Sequence, residues 1–397
     1  MAEGKQRVLI VHNYNKIPGG EDTVVANEKK LLEEHGHEVL LYTRHNSEMK
    51  TMSKVQKLLL PFSTIFNWNS YREIKRIIKT EKIDIVHVHN TLNMISPSVY
   101  YAALRCRVPV VQTIHNFRLL CPAATFYRDG HICEECLERG FSCAVKHSCY
   151  RNSKIQTLAC VISLKIHRLL GIYGKLNYIC LTEFNKEKLL HLKQIVESKV
   201  YVKPNFVKEA ENIVPYKERK NQFIYVGRLE EIKGTRLLLE SWKLLGEAAP
   251  TLLVCGRGPM EEWAKEFVKE HQISQVKLLG YVDNQQVKKM IGESKALILP
   301  TQVYEGFPMT IAEAYAAGTP VIAPDMGNAG DLVTSGVTGV HFEHRSAVSL
   351  ADVISDFKTF DSVQIHNVYE NHFSAEKNYE QLKKIYDCCG SITHREF

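Results

Sequence analysis

Short apolar runs alternate with amphipathic stretches along nearly the whole chain, and this alternation limits the fold more than any other feature. It is typical of α/β domains built on parallel sheets. In the first half the runs predict strands at 7–12, 38–43, 84–89, 109–114, 178–181 and 199–203. In the second half they predict strands at 223–226, 251–255, 276–279, 296–299 and 320–323. The clearest helix, 21–35, stops at Gly36, a natural left-handed terminator.

The alternation is interrupted once, by a charged stretch that contains Pro204 and Pro215, and then begins again. A chain of 397 residues is long enough for two ordinary domains of roughly 200 residues each. We therefore predict an α/β fold of two Rossmann-like, doubly wound domains, 1–203 and 204–373, facing a cleft. Ligands would bind at the carboxyl ends of the strands. The sequence leaves open whether a last helix in 374–397 crosses back to the first domain.

The composition, with 45% hydrophobic and 24% charged residues, is that of a globular protein and excludes a disordered or fibrous chain. The apolar run Val8–Val11 is too short for a secretory signal, and no run approaches the roughly 18 apolar residues of a spanning helix. We expect a cytoplasmic protein, either free or attached to the inner face of the cell membrane. The segments 54–79 and 154–176 combine basic residues with apolar faces, as interfacial helices do, although ordinary core-packed helices share this pattern.

Two cations follow one predicted strand, in the sequence "FIYVGRLEEIKG". The strand ends at Gly227 and Arg228, and Lys233 comes where the next helix should start. Arginine binds phosphate oxygens in a bidentate manner, lysine adds a point charge, and a helix N-terminus adds N–H groups. This turn could therefore bind a diphosphate, or it could be an ordinary solvated turn.

Glycines stand in two other loops that follow predicted strands. Gly256 and Gly258 lie in "CGRGPM", and Gly19 and Gly20 lie in "IPGGED", between the first strand and the first helix. Glycine lets the backbone approach a ligand closely, but it also simply permits a tight turn. The sequence alone leaves both readings open.

Two glutamates flank the loop between the predicted strand 296–299 and a helix that starts near Pro308. Glu305 comes just before the loop, and Glu313 lies about a turn and a half into the helix. Carboxylates accept O–H donors, and backbone N–H groups at a helix start are free for an anion. The residues of this predicted anion-binding loop are Gly306, Phe307, Pro308, Met309 and Thr310.

The combination resembles the retaining glycosyltransferases of the GT4 type, or glycosyl transferases group 1, which have the GT-B fold and a glutamate pair spaced E-x7-E. The motifs "PGGED", "GRLEEIKG", "CGRGP" and "EGFPMTIAEAYAAGTPVIA" occur in the expected order, so the resemblance covers almost the whole chain. It implies that Glu313 accepts the ribose hydroxyls of a nucleotide diphosphate sugar and that Glu305 holds the transferred sugar. Arg228 and Lys233 would bind the diphosphate.

The resemblance also assigns residues of the first domain. His115, in "TIHNF", matches a family histidine that reaches the donor sugar, and Gly19 and Gly20 match a loop beside the diphosphate. A strand-end histidine that only bonds to backbone is the alternative for His115. One departure from the family pattern is "MGNAGDLV", with Asn328 and Asp331, and it leaves the identity of the donor open.

By this resemblance the chain transfers a hexose or N-acetylhexosamine from a nucleotide sugar to a glycan or lipid-linked acceptor, as in bacterial cell-surface polysaccharide synthesis. No cofactor for catalysis is implied, and no Asp-x-Asp metal motif stands at a predicted strand end. Basic residues are not concentrated in a stripe, so we expect no nucleic-acid partner. A GT-B sugar-nucleotide epimerase and a non-catalytic nucleotide-sugar-binding or scaffold protein stay open as alternatives.

Five of the eleven cysteines fall in a predicted insertion of the first domain, 115–152. Four thiolates can close a tetrahedral structural zinc site. The spacing favours zinc over buried thiols or disulfides, both of which stay open. The predicted zinc ligands are Cys121, Cys133, Cys136 and Cys149.

Overall fold

A computed structural model describes residues 5–15 and 19–393, so Pro18 of the N-terminal glycine loop lies outside the described residues. The strands are β1 (Arg7–Tyr14), β2 (Glu38–His45), β3 (Ile85–Asn90), β4 (Val110–Ile114), β5 (Tyr127–Arg128), β6 (His131–Ile132), β7 (Asn177–Cys180), β8 (Val200–Val202), β9 (Lys220–Val226), β10 (Thr251–Cys255), β11 (Val276–Gly280), β12 (Ser294–Ile298), β13 (Val321–Pro324) and β14 (Gly339–Phe342).

The helices separate most of these strands. They are α1 (Gly20–Glu34), α2 (Lys54–Ile65), α3 (Trp68–Thr80), α4 (Ser98–Arg105), α5 (Glu135–Glu138), α6 (Ser142–Lys146), α7 (Lys154–Leu169), α8 (Glu183–Leu190), α9 (Thr235–Leu245), α10 (Glu261–Glu270), α11 (Asn284–Glu293), α12 (Met309–Ala316), α13 (Gly327–Asp331), α14 (Ala347–Ser355), α15 (Ser362–His372) and α16 (Ala375–Thr393). Within the two described ranges, every helix is too short or too polar to cross a membrane.

The chain divides into two compact units. The first comprises Met1–Phe126, Cys133–Lys203 and Tyr379–Phe397, and the second comprises Tyr127–Ile132 and Pro204–Asn378. The predicted insertion 115–152 is therefore not wholly part of the first unit, because the hairpin of β5 and β6 is grouped with the second. Strands of two residues have no hydrophobic pattern, so this hairpin was not predicted.

The first unit is built on a six-stranded parallel sheet with the order β2-β1-β3-β4-β7-β8. Its central strands are buried on both faces, which explains why they read as continuous apolar runs. Helix α1 follows β1, and the Gly19 amide donates to the Asp22 carboxylate at 3.0 Å at its start. It ends before Gly36, whose φ of 82° is the left-handed conformation that glycine adopts readily. Residues of α16 join the apolar core of this unit.

The second unit has the matching order β11-β10-β9-β12-β13-β14, again with parallel pairing. Apolar clusters cover both faces of its sheet. The prediction missed β14, whose four residues, "GVHF", mix glycine and histidine with two apolar residues and so do not form an apolar run. The position of β9 beside both β10 and β12 brings the loops after these three strands to one edge of the sheet.

Candidate functional site

The loops after β9 and β10 pack tightly against each other in the second unit. The Gly227 amide donates to the Cys255 carbonyl at 3.0 Å. Gly256 has a φ of 145°, and a Cβ there would lie 1.8 Å from the Gly227 carbonyl oxygen. Gly258 lies in the same loop, with Leu229 against it. Packing between the two loops thus requires glycine at 256, whether or not a ligand also approaches there.

Lys233 and Glu305 meet at this edge of the sheet, although 72 residues separate them in the sequence. Lys233 ends a short 3-10 turn before α9, and its Nζ donates to both carboxylate oxygens of Glu305 at 2.8 Å. The Thr301 hydroxyl donates to Glu305 Oε1 at 2.7 Å. The Lys233 side chain is 30% exposed and that of Glu305 is 12% exposed. A cation and an acid are therefore held together, and part of the Lys233 side chain is accessible.

Gly234, which follows Lys233, is required by a close approach. Its φ is 78°, and a Cβ would lie 1.8 Å from the Pro300 carbonyl oxygen. The start of α9 is therefore pressed against the segment that follows β12. This contact positions Lys233 against Glu305.

Asn328 holds the backbone of the loop that carries Glu305. Its buried side-chain amide donates to the carbonyls of Glu305 and Gly306, the latter at 2.9 Å. The sequence marked Asn328 and Asp331 only as a departure from the family pattern. The structure gives Asn328 a clear role, because its amide fixes the geometry of the Glu305 loop. Asp331 ends α13 and is exposed.

The loop leads into α12, where Pro308 occupies the N-cap position rather than the first helical turn. Pro308 has no N–H, so it cannot belong to the predicted anion-binding amides. The amides of Met309 and Thr310, at the start of the helix, have no partner within it, whereas the Ile311 amide donates to the Pro308 carbonyl at 3.0 Å. Phe307 packs against the apolar core of the unit, with its ring 6.1 Å from that of Phe373.

Glu313 is the fifth residue of α12 and is only partly exposed. Burial raises the pKa of its carboxyl group above the ordinary range, and Lys288 partly opposes this effect. Within the described part of the chain, its carboxylate has no hydrogen-bond or ion-pair partner. Such a carboxylate lacks the hydrogen bonds it would normally have when buried.

Arg228 lies just after β9, but its contact was not predicted. Its Nη2 is 2.6 Å from Glu230 Oε1, and its side chain is 59% exposed. Each predicted phosphate-binding cation is thus paired with an acid, Arg228 with Glu230 and Lys233 with Glu305. No sequence pattern singled out Glu230 or Thr301.

In the first unit, His115 follows β4 and lies in a pocket of about 210 Å³. Its Nε2 is 2.9 Å from Nδ1 of His89. Burial lowers the pKa of His115 well below the ordinary range, and the neighbouring His89 lowers it further, so the imidazole is neutral at neutral pH. Arg118 and Tyr150 line the same pocket. The bond to His89 shows that His115 is not merely satisfied by backbone.

The glycine loop before α1 also lies in the first unit. Gly19 is the N-cap of α1 and Gly20 its first residue, both exposed, and a Cβ at Gly19 would meet no atom within 4 Å. Glu21, the second residue of α1, lines the His115 pocket. Glu21 Oε1 is buried without a hydrogen-bond partner. Burial raises the pKa of Glu21 to about 8, and Asp22 raises it further.

The cysteine insertion brings its thiols into one cluster. Burial raises the pKa of Cys136 to about 12, and the nearby thiols of Cys121, Cys149, Cys133 and Cys143 add to this effect. The described cysteines form no disulfide. Among the described residues, two sets of three ligand atoms lie within 4.8 Å of one another, and neither set includes a cysteine. The thiols of the predicted zinc ligands are thus near one another, but their sulfur atoms do not form a set within 4.8 Å of one another.

Two family profiles match the chain. Residues 18–139 match Glycosyltransferase Family 4, and residues 207–386 match Glycosyl transferases group 1. The glycogen synthase of Mycobacterium tuberculosis H37Rv is 30% identical over 136 residues, which are 34% of this chain and 33% of the synthase. The chain therefore spans about a third of the length of the curated relatives it matches first.

Two solved structures resemble the chain over nearly its full length. Anabaena Alr3699/HepE in complex with UDP has a TM-score of 0.66 at 15% identity, covering 96% of this chain and 100% of that one. The lipopolysaccharide outer core galactosyltransferase WaaB, in its apo form, has a TM-score of 0.66 at 17% identity, covering 96% and 99%. At such identities the likeness shows the fold, two parallel-sheet Rossmann-like domains of the GT-B type, as the sequence predicts.

Proposed function

We propose that the chain, which matches Glycosyltransferase Family 4 over residues 18–139 and Glycosyl transferases group 1 over residues 207–386, is a retaining glycosyltransferase that uses a nucleotide diphosphate sugar. The observation that carries this proposal is the contact of Lys233 with Glu305. Glu305 lies in the loop that leads into α12, the helix that contains Glu313. A cation and the acid assigned to the sugar then lie in the loops after β9 and β12, and an unpartnered carboxylate lies in α12. These are the groups that a diphosphate, a hexose and a ribose require.

Each group has a defined task in this proposal. Glu313 accepts the two ribose hydroxyls, because a carboxylate can take two O–H donors. Glu305 accepts hydroxyls of the transferred sugar, while Lys233 and Arg228 bind the diphosphate. The free amides at the start of α12 complete the phosphate site. The HepE structure, solved with UDP, supports a nucleotide of this class.

The chemical step breaks the bond between the anomeric carbon and the diphosphate while an acceptor hydroxyl attacks from the same face, and the hydroxyl proton passes to a phosphate oxygen of the leaving diphosphate. Negative charge grows on the leaving diphosphate, and fixed cations and amides stabilise it where it develops. Lys233 is suited to this because Glu305 and the turn before Gly234 hold its ammonium in place. In retaining hydrolases two carboxylates lie about 5 Å apart, and one of them is the nucleophile. In this proposal Glu305 is not a nucleophile but positions the sugar.

We assign the acceptor to glycans or lipid-linked saccharides of cell-surface polysaccharide synthesis and the donor to hexoses or N-acetylhexosamines. The likeness to a lipopolysaccharide galactosyltransferase supports this class. The test is a panel of nucleotide sugars, scored by thermal protection and by slow hydrolysis of the donor. A true donor binds only the folded protein and raises its melting temperature. If no nucleotide sugar protects the protein or is hydrolysed, the proposal fails.

The pH dependence of donor binding tests Glu313. Because burial raises the pKa of Glu313, and only the carboxylate accepts two hydroxyls, affinity should be full above this raised pKa and fall as pH drops through it. Glu313→Gln should bind the donor roughly 10- to 100-fold more weakly, the loss of a charged hydrogen bond, without this pH dependence. Titration calorimetry with the nucleotide sugar measures both. Glu293→Gln is the control. If the affinity of Glu313→Gln for the donor has the same pH dependence as that of the wild type, Glu313 does not have the proposed role.

We propose in addition that the cysteine cluster binds one structural zinc ion, while catalysis needs no metal. The gathered thiols of Cys121, Cys133, Cys136 and Cys149 are the donor set that zinc prefers. EDTA added at the time of assay should leave turnover unchanged, and metal analysis should find one zinc per chain, lost in Cys133→Ser/Cys136→Ser. Turnover that disappears in EDTA and returns with Mg²⁺ contradicts the first proposal, and zinc-free wild-type protein contradicts the second.

A third proposal concerns attachment to the inner face of the cell membrane through α2 and α7, which pack side by side. Both helices lack acidic residues and carry basic ones. Their exposed apolar side chains are Val55, Leu59, Phe62, Ile155, Leu158, Ile162, Ile166 and Leu169. An apolar face with basic residues and no acids fits an anionic lipid surface.

Vesicle sedimentation tests this membrane face. Wild-type protein should bind vesicles containing anionic phosphatidylglycerol, and binding should weaken with added salt because charges are screened. Phe62→Ser/Ile155→Ser should lose binding, since both side chains are more than half exposed, at 69% and 76%. Val348→Ser, on an exposed residue of the second unit, is the control. Equal binding to neutral and anionic vesicles would contradict an electrostatic contact.

A further inference from the structure

A line of buried side chains runs behind His115 in the first unit. Glu28 lies on α1, His89 lies at the end of β3, and His115 follows β4. Nε2 of His89 is 3.2 Å from Glu28 Oε2, and Nδ1 of His89 is 2.9 Å from Nε2 of His115. Glu28 is 1% exposed and His89 is 3% exposed. The line therefore connects an internal acid to a side chain at the wall of a pocket.

Glu28 is kept ionised by Lys203. The Lys203 ammonium is 2.6 Å from Glu28 Oε1, and both side chains are about 1% exposed. This ammonium and the nearby imidazoles hold the pKa of Glu28 well below the ordinary range, in spite of burial. A buried ammonium stabilises the carboxylate because the low dielectric strengthens their attraction. Oε2 is then an acceptor and never a donor.

The direction of each proton follows from this fixed acceptor. Glu28 Oε2 and His89 Nε2 lie 3.2 Å apart, and both atoms are buried without a well-aligned hydrogen bond, either to each other or to another described group. A carboxylate attracts an N–H and repels a lone pair, so His89 has its proton on Nε2. Its Nδ1 is then a lone pair, and that lone pair must accept from His115 Nε2–H. His115 is left with a lone pair on Nδ1.

We propose that Glu28 and His89 are positioning residues that hold neutral His115 in the Nε2–H tautomer, so that its Nδ1 accepts an O–H from a bound sugar. This inference rests on the proposed function, which supplies the sugar. The pocket around His115 has the chemistry for such a ligand, because Glu21 and Asn116 also present polar groups there. A neutral imidazole with a fixed tautomer can discriminate a hydroxyl donor from an acceptor, which a free histidine cannot.

A metal ion is the competing explanation for this cluster. Ligand atoms of Glu28, His87 and His89 lie within 4.8 Å of one another. However, both ring nitrogens of His87 have partners, Tyr386 Oη and Thr113 Oγ1, each at 2.7 Å. The Lys203 ammonium already neutralises Glu28. A divalent ion would add two uncompensated charges beside a buried ammonium, which is costly. The line from Glu28 through His89 to His115 therefore explains the cluster better than a metal ion does.

The wild-type protein tests the proposal without any substitution. Nitrogen-15 NMR of protein labelled only in histidine distinguishes protonated from unprotonated ring nitrogens, and His115→Gln identifies the His115 signals. The expected result is a neutral His115 with its proton on Nε2. A proton on Nδ1, an imidazolium, or a rapid mixture of the two tautomers would overturn the proposal. The tautomer is read in the absence of any sugar, so the result does not depend on whether the proposed function is correct.

Glu28→Gln then tests the cause. In this variant Lys203 should bind the amide oxygen, which turns the amide N–H₂ group toward Nε2 of His89. His89 should then carry its proton on Nδ1 and donate it to Nε2 of His115. The proton of His115 should therefore appear on Nδ1. A residue that only fills space would leave the tautomer unchanged, and that outcome overturns the proposal. Sugar transfer should fall at least tenfold in this variant, mainly in kcat. If Glu28→Gln does not fold, the wild-type tautomer decides. Transfer absent from wild type, with the tautomer as expected, contradicts only the proposed function.

Discussion

Lys233→Ala is expected to lower sugar transfer roughly 100- to 1000-fold, about 3 to 4 kcal/mol of transition-state stabilisation, without unfolding the protein. The ammonium is held by both oxygens of Glu305 at 2.8 Å, so it is already placed when charge grows on the departing diphosphate. Its removal takes away a fixed cation from an otherwise intact loop. Steady-state kinetics with the true donor measures the loss, and circular dichroism and the melting temperature verify the fold.

Lys220→Ala is the matched control for this substitution. Lys220 begins β9, and its Nζ is 2.5 Å from Glu293 Oε2 on the surface of the same unit. Removal of an exposed ion pair typically changes stability by about 0 to 1 kcal/mol. Activity should therefore match that of wild type. Wild-type turnover in Lys233→Ala, or an equal loss in Lys220→Ala, would contradict the assigned role.

Glu305→Ala should also fold and lose transfer, roughly 100-fold or more, because the hydroxyls of the transferred sugar lose a charged acceptor as the bond breaks. Its expected signature differs from that of Lys233→Ala. Glu305 is assigned to the sugar, so affinity for the nucleoside diphosphate alone should be nearly unchanged, whereas Lys233→Ala should weaken it. Titration of both variants with UDP and with the donor separates the two roles. Glu293→Ala is the control.

The contact between the Lys233 and Glu305 side chains leads to a prediction for the double variant. Residues in contact rarely contribute additively, so Lys233→Ala/Glu305→Ala should lose less activity than the product of the single losses. Each single variant leaves a charge without its partner, and the double variant does not. Strict multiplication of the two losses would mean that the 2.8 Å contact has no part in activity.

Most of the fold could be predicted because parallel sheets buried on both faces leave a direct mark in the sequence. The apolar runs predicted each of the six strands of the first sheet and five of the six strands of the second, within a few residues of the observed bounds. Strand β14 was missed because its four residues mix glycine and histidine with two apolar residues, whereas β13, of the same length, is mostly apolar. The β5–β6 hairpin was missed because strands of two residues carry no pattern.

The candidate site was predictable in its residue types and not in its contacts. The strand-end positions of Lys233 and Glu305 follow from the alternation, but nothing in the spacing pairs two residues 72 positions apart. The sequence marked Asn328 only as a departure from the family pattern, because its hydrogen bonds to the Glu305 loop form only when the chain folds. The line from Glu28 to His115 was invisible, since it joins an interior helix residue to two strand ends.

The most direct test of the central claim is the anomeric configuration of the product. Once the panel of nucleotide sugars has identified the donor, the enzyme is incubated with it and a saccharide acceptor, and proton NMR follows the anomeric signals from the first turnover. A retaining glycosyltransferase forms a product with the same configuration as the α-linked or β-linked donor. A product of inverted configuration contradicts the account, and so does conversion of the donor to its epimer without transfer.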